Sequence, residues 1–364
     1  EPDVDNSCLK LQINGKGDEQ ATADIKLTDR QGTIVASLEN AAINTPLTLP
    51  VASPHLWSPE DPYLYDLDIT LSLNGEQTDA VKSYCGMRKI EVKKVNDIPR
   101  IFLNGKQIFQ MGPLDQGWWP DGLYTAPSDE ALLFDVKEMK ELGFNMIRKH
   151  IKVEPSRWYM HCDREGILVW QDLPSPGLPA GHEAFARQNF EEEAVRIIDA
   201  FENHPSIVQW VVFNEGWGQF DTERMTQVVI DKVSPQSLVC CASGWNDAEI
   251  GDIKDSHSYP YPSCPIDQKR ACVNGEYGGI TLKVPGHIWP GGDFGYTTVE
   301  TPEDFTVMFN DLADKIKDHY YYGLNAAVYT QLSDVEIEKN GIYTYDRRIL
   351  KPYSPTGELK DKIL

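Results

Sequence analysis

The chain has 364 residues, a formal net charge of −22 and 41% hydrophobic residues. That length predicts two domains, or one large barrel with an addition, and the composition is enough to fill a sizeable core. The acidic excess speaks against a nucleic-acid partner, whose phosphates need clustered Lys and Arg, and no apolar run reaches the ~18 residues of a membrane span.

Residues 1–97 read as all-β. Residues 8–13, 23–27 and 65–71 alternate apolar and polar with period two, and Asp29-Arg30-Gln31-Gly32 and Asn74-Gly75 mark turns. Short strands with regular turns predict an immunoglobulin-like β-sandwich. Nothing in this stretch has a catalytic pattern. Its expected role is scaffolding.

From residue 98 to 364 strand-like and helix-like segments alternate. The first strand is expected at 107–111, followed by a helix capped by Ser128 and ended by Gly143, with Leu132, Val136, Met139 and Leu142 on its apolar face. Strands are then expected at 144–151, 167–172, 207–214, 237–242, 253–259, 271–276 and 326–332. Helices between them are expected at 155–164, 183–203 and 222–233. A last helix is capped by Thr301, with Pro302 in its first turn. Helices after the fifth and sixth strands are poorly marked. The pattern predicts a (β/α)8 TIM barrel, so the fold class is an immunoglobulin-like sandwich followed by that barrel.

The seven cysteines show no CxxC or Cys/His spacing. Free, buried thiols and no metal site are expected. Cys240 and Cys241 are expected in the barrel core.

In such a barrel the chemistry sits at the carboxyl ends of the strands. The residues standing there are Asp115, Arg148, Asp172, Asn214-Glu215, Trp245, His257, Tyr259 and Glu276. The loop 282–298, with Trp289, is expected to form a mobile wall, and Trp118 and Trp119 to pack the rim. Carboxylates with aromatic platforms suit a sugar: its hydroxyls need hydrogen-bond partners and its ring face a flat surface. Hydrolysis of a glycoside needs two carboxyl groups flanking the bond. Glu215 and Glu276 end the fourth and seventh strands, across the barrel from one another.

These residues resemble glycoside hydrolase family 2, which includes β-galactosidases, β-glucuronidases and β-mannosidases. Asn214-Glu215 is similar to the family's Asn-Glu pair, which implies Glu215 as acid/base and Asn214 as partner of the sugar 2-hydroxyl. Glu276 in Asn274-Gly275-Glu276-Tyr277-Gly278 resembles the nucleophile, Arg148 its supporting arginine, and Tyr259 the tyrosine that donates to it. The helix and strand from Trp158 to Trp170-Gln171-Asp172, and the segments Leu56-Trp57-Ser58-Pro59 and Gly86-Met87-Arg88-Lys89-Ile90, are also similar to family motifs. The resemblance implies a retaining exo-β-glycosidase acting on a glycoside without a cofactor, with β-galactosidase favoured and a β-glucuronidase, β-mannosidase or arabinosidase of the same family as alternatives. A non-catalytic carbohydrate-binding relative is the alternative of another class. His257, Asp115, Asp172, Trp245 and Trp289 join the substrate-binding candidates.

Two features depart from the family pattern. Pro2 to Asn6 looks like the opening of the middle domain, so a truncated chain without the jelly-roll module is expected. The Asn-x-Lys motif of β-glucuronidases has no convincing equivalent, and Arg148-Lys149-His150-Ile151 alters the Arg-x-x-His-x-Pro pattern of large β-galactosidases.

Overall fold

A computed structural model describes residues 1–16, 20–175, 177, 183–233 and 237–352. The N-terminal part is a β-sandwich. One sheet joins Pro2–Asp3, Cys8–Gln12 and Pro46–Pro50, and the other runs in the order Ile34–Ala42, Thr22–Thr28, Tyr65–Leu73, Glu76–Cys85, all antiparallel. Period-two patterning decides which face turns inward: Ala23, Ile25 and Leu27 are buried and meet Leu9, Leu49, Tyr65 and Leu67 in one apolar cluster. Arg88 fastens the sandwich to the barrel by donating from Nε to the Pro205 carbonyl (2.5 Å) and from Nη2 to the Ile207 carbonyl (2.6 Å). It therefore holds the amino end of the strand that leads to Glu215.

The antiparallel strands Ile90–Val95, Ile98–Leu103 and Lys106–Gln107 close the floor of the barrel. Ile90, Ile101 and Leu103 pack with Leu114, Met146, Val211, Val273 and Val328 inside the ring of parallel strands. Arg100 Nη1 donates to the Leu324 carbonyl (2.9 Å), tying that floor to the start of the last strand.

The barrel strands are β1 Gln110–Asp115, β2 Met146–Lys149, β3 Leu168–Asp172, β4 Ile207–Asn214, β5 Leu238–Ser243, β6 Ile253–Ser258, β7 Ala271–Gly278 and β8 Leu324–Thr330. All are parallel, hydrogen-bonded in the order β5-β4-β3-β2-β1-β8-β7-β6. The β5–β6 seam is closed without a regular ladder. Asp252 bridges it, its N–H to the Val239 carbonyl (2.8 Å) and its carboxylate to the Val239 N–H (2.9 Å).

The first strand lies three to four residues later than its pattern predicts (110–115 rather than 107–111), because 106–107 belongs to the floor hairpin. Gly112 and Pro113 disguise the true strand. Gly112 is needed there: an added Cβ would sit 1.6 Å from the Met146 carbonyl oxygen on β2.

Helices α1 Asp129–Glu141, α2 Ser156–Glu165, α3 Glu183–Phe201, α4 Thr222–Lys232 and α5 Pro302–Tyr322 follow β1, β2, β3, β4 and β7. Ser128 and Thr301 cap α1 and α5 as expected, accepting from the N–H groups of Ala131 and Asp304. No helix follows β5 or β6 among the described residues. The first of these connections is short and carries Gly244 and Gly251; the second carries Pro260, Pro262 and Pro265, which remove N–H donors and break a helix. Polar contacts replace helix packing there. Asp247 takes both Arg270 (2.7 Å) and Lys254 (2.7 Å).

Candidate active site

β4 is buried along its whole length and delivers Asn214 and Glu215 to the carboxyl end of the barrel. Its last ladder pair is Asn214 with Ser243. The chain then turns sharply. Glu215 lies in the left-handed region (φ 55°), and its N–H still donates to the Ser243 carbonyl (2.9 Å). Such a conformation costs a non-glycine residue roughly 1–3 kcal/mol, which the surrounding barrel must offset. The carboxylate comes to lie 2.6 Å from His257 Nδ1.

Glu276 arrives from β7. Its Oε2 accepts from the Tyr259 hydroxyl (2.6 Å) and its Oε1 from Arg148 Nη1 (3.3 Å). Tyr259 is held in turn by Thr330 Oγ1 (2.7 Å) and a stacked Tyr296 ring (3.6 Å between centroids). Glu215, His257 and Glu276 each bring one side-chain atom within 4.8 Å of the others. One oxygen of each carboxylate thus lies no more than 4.8 Å from the other, short of the ~6.5–9.5 Å separation that leaves room for a water between two carboxyl groups.

Arg148 is the charge at the centre. It is fully buried and donates to both Asp172 oxygens (3.1 and 2.9 Å), the Gly275 carbonyl (3.0 Å), Asn214 Oδ1 (2.8 Å) and Glu276. Asp172 is thus committed to Arg148. Asp115 is similarly committed, to Lys149 and the Gly117 N–H. With its oxygen held by Arg148, Asn214 is left to donate from Nδ2.

His257 lies between the two glutamates. Its Nδ1 is 2.6 Å from Glu215 Oε1 and 3.5 Å from Glu276 Oε2, and its Nε2 is 2.7 Å from Ser243 Oγ. Both ring nitrogens are therefore engaged within the protein. The trio has the donor types of a metal centre, but its 2.6 Å contact is a hydrogen bond, so the geometry is that of an acid–base group.

The three groups perturb one another. Burial would lower the His257 pKa, but the charge of Glu276, the hydrogen bond to Glu215 and the charge of Asp255 outweigh it and raise it. Burial lifts Glu276, and the Glu215 charge adds to this, against the pull of His257 and Arg148. Glu215 goes the other way: burial is more than offset by the hydrogen bond and charge of His257, and its pKa is lowered.

Trp245 packs edge-on to His257 (5.8 Å between ring centroids) and remains 48% exposed. Trp217, two residues past Glu215, is 66% exposed and was not singled out from the sequence. Both offer flat apolar faces beside the carboxylates. Trp289 is placed against Tyr345 (5.4 Å), on a pocket it shares with Trp118 and Trp119.

Asp255, Tyr296 and Glu338 also escaped the sequence reading. Glu338 lies beyond β8 and accepts from Gln331 (2.8 Å) and Gln116 (3.2 Å). Burial raises its pKa, and the Glu276 and Glu215 charges add to the rise, so it belongs to the same electrostatic field. A signal for Asp255 was present: Ile253, Asp255 and His257 share one face of a strand, where a carboxylate needs a polar reason to be.

Family profiles described as "Glycosyl hydrolases family 2" and "Glycosyl hydrolases family 2, TIM barrel domain" match residues 3–88 and 94–360. A β-galactosidase of Lactococcus lactis is 30% identical over 224 residues, covering 59% of this chain and 21% of that protein. A β-glucuronidase of Bacteroides fragilis is 29% identical over 227 residues, covering 57% and 31%. The chain thus spans less than a third of either relative's length. The crystal structure of Ruminococcus gnavus β-glucuronidase superposes with a TM-score of 0.79 at 17% identity, over 98% of this chain and 66% of that one. At that identity the likeness shows the fold.

Proposed function

The chain belongs to glycosyl hydrolases family 2, and on that premise we propose that it carries the catalytic apparatus of a retaining exo-β-glycosidase. The observation that carries this reading is the approach of Glu215 and Glu276 to within 4.8 Å through their nearest oxygens, at the ends of β4 and β7. Glu276 attacks the anomeric carbon as the glycosidic C–O bond breaks, and Glu215 gives its proton to the departing oxygen. A glycosyl ester on Glu276 results. Glu215, now a carboxylate, then takes a proton from water as that water attacks the anomeric carbon and frees Glu276. Arg148 and Tyr259 favour the ionised nucleophile against the burial that raises its pKa. Asn214 Nδ2 donates to the sugar 2-hydroxyl, and Trp217 and Trp245 stack on the sugar.

For the glycone, charge is the deciding physical feature. Arg148, Lys149, Lys152, Lys339, Arg347 and Lys351 are buried around the strand ends, and each already binds a carboxylate. Glu338 adds a third acid to the field of the pair. A uronate carboxylate would enter with no free cation among these residues and against three acids. This supports a neutral sugar, with a β-galactoside favoured, and weighs against the β-glucuronide that other relatives' names would suggest.

The test is a panel of 4-nitrophenyl β-galactoside, β-glucuronide, β-mannoside and α-L-arabinoside with the full protein. The galactoside should be turned over fastest, and Glu338→Gln should raise the glucuronide-to-galactoside ratio of kcat/KM. A glucuronide preference in the wild type would overturn the charge argument. No hydrolysis of any member would overturn the enzymatic reading and favour a sugar-binding role.

A further inference from the structure

Behind Glu215 runs a chain of hydrogen bonds that the double displacement does not require. Asp255, buried on β6, accepts the Gly275 N–H at Oδ1 (2.6 Å) and Ser243 Oγ at Oδ2 (2.6 Å). Ser243 Oγ then meets His257 Nε2 at 2.7 Å, and His257 Nδ1 meets Glu215 Oε1 at 2.6 Å. Gly275 makes the approach possible: an added Cβ there would sit 2.2 Å from Asp255 and 2.6 Å from Ser243.

The direction of this chain follows from proton counting. A hydroxyl has one proton to give. With Asp255 ionised, Ser243 gives that proton to Asp255 and must accept from His257. Nε2 then carries a hydrogen throughout, and the variable site of the imidazole is Nδ1, which faces Glu215. Two arrangements differ by one proton moved along one short bond: neutral His257 beside Glu215 as the acid, or imidazolium beside Glu215 as the carboxylate.

We propose that His257 is a positioning residue that shares the acid proton with Glu215, with Ser243 and Asp255 fixing its tautomer. The inference rests on the reading of Glu215 as acid/base. The leaving glycosidic oxygen takes the pair's one proton from Glu215, which draws it from His257 Nδ1 where it rests there, and the pair is left as a carboxylate and a neutral imidazole. In the second half-reaction the proton from the attacking water returns to the Glu215–His257 pair. No proton is gained or lost over the cycle beyond those of the hydrolysis.

The other titratable and charged groups facing His257 are Glu276 from β7, 3.5 Å from Nδ1, Arg148 from β2, and His150 just after it. The acids favour the imidazolium and Arg148 opposes it. The protonated pair has two sites for one proton, so its apparent pKa exceeds that of either site alone. Removing the imidazole must lower it.

The experiment is a pH profile of kcat/KM for wild type, His257→Asn, Ser243→Ala and Glu215→Gln, each with a poor leaving group (methyl β-galactoside) and a good one (2,4-dinitrophenyl β-galactoside). Asparagine still donates to Glu215 but takes no proton. His257→Asn should move the basic limb about one pH unit or more downward and lose about tenfold or more on the poor leaving group, with little loss on the good one. Ser243→Ala should shift the limb the same way by less, and it serves alone if His257→Asn fails to fold. An unchanged basic limb, or equal losses on both leaving groups, overturns the sharing. Glu215→Gln separates the two readings. If it keeps wild-type rates on the poor leaving group, Glu215 is not the acid. If it loses them while His257→Asn keeps the wild-type limb, only the sharing fails.

Discussion

Replacement of Arg148 by lysine keeps the charge and removes the geometry. The guanidinium makes five hydrogen bonds at 2.8–3.3 Å, two of them to Asp172. An ammonium has three donors on one point, so at least two of these contacts go unmade. Each charge-assisted bond is worth about 1.5–3 kcal/mol, and leaving Asp172 partly unpaired in a site where it is 1% exposed adds to the loss. Arg148→Lys should therefore destabilise the barrel by about 3–5 kcal/mol, an estimate in line with breaking other buried pairs. Urea unfolding followed by Trp fluorescence reads this as a lower midpoint at unchanged slope. A double-mutant cycle with Asp172→Asn should return a coupling of about 2–3 kcal/mol, since the two share two bonds. A midpoint loss equivalent to less than about 1 kcal/mol, or no coupling, would refute the claim that this pair organises the site.

Three further outcomes follow from the same contacts. Glu215→Ala should lose about 10²–10⁴-fold on poor leaving groups, with recovery by added azide as the β-glycosyl azide; an unchanged rate would remove Glu215 from the acid role. Tyr259→Phe deletes the 2.6 Å donor to Glu276, whose pKa burial already raises. The acid limb of kcat/KM should then move to higher pH, because the nucleophile must be ionised to attack; an unmoved limb would mean Tyr259 only packs. Asp247→Asn breaks the tie to Arg270 and Lys254 across the helix-free connections and should cost about 2–4 kcal/mol in urea unfolding at pH 7. Asp247 has a lowered pKa, burial being outweighed by the Arg270 and Lys254 hydrogen bonds. Its stabilisation is thus present above the ordinary Asp pKa of about 3.9 and fades as pH falls through the folded value, so the mutant and wild-type midpoints should converge in acid.

Much of this was legible in the sequence, for reasons that can be named. β4 is an unbroken apolar run because it is buried on both faces, and such strands announce themselves. The caps Ser128 and Thr301 mark helix starts by local chemistry alone. β1 was misplaced because Gly112 and Pro113 serve close strand contact and look like a turn. The prolines at 260, 262 and 265 say that no helix follows β6, and the weak pattern there agreed. What stayed hidden depends on contacts between distant segments. Glu338 reaches Gln116 across 222 positions of chain, and its relation to Glu215 and Glu276 exists only once the barrel closes. The commitment of Asp115 to Lys149 and of Asp172 to Arg148 is equally non-local. From the sequence, a carboxylate at a strand end looks the same whether it faces sugar or a buried cation.

The central claim is that Glu276 forms the covalent intermediate with Glu215 as its partner. It is tested most directly by incubating the full protein with 2,4-dinitrophenyl 2-deoxy-2-fluoro-β-galactoside and mapping the labelled peptide by mass spectrometry. The fluorine slows both steps and the good leaving group restores the first, so the ester accumulates. One added fluorosugar per chain is expected, on the peptide containing Glu276 and at that residue. Label on another residue, or a protein that turns over the parent galactoside yet never accumulates an adduct, would contradict it.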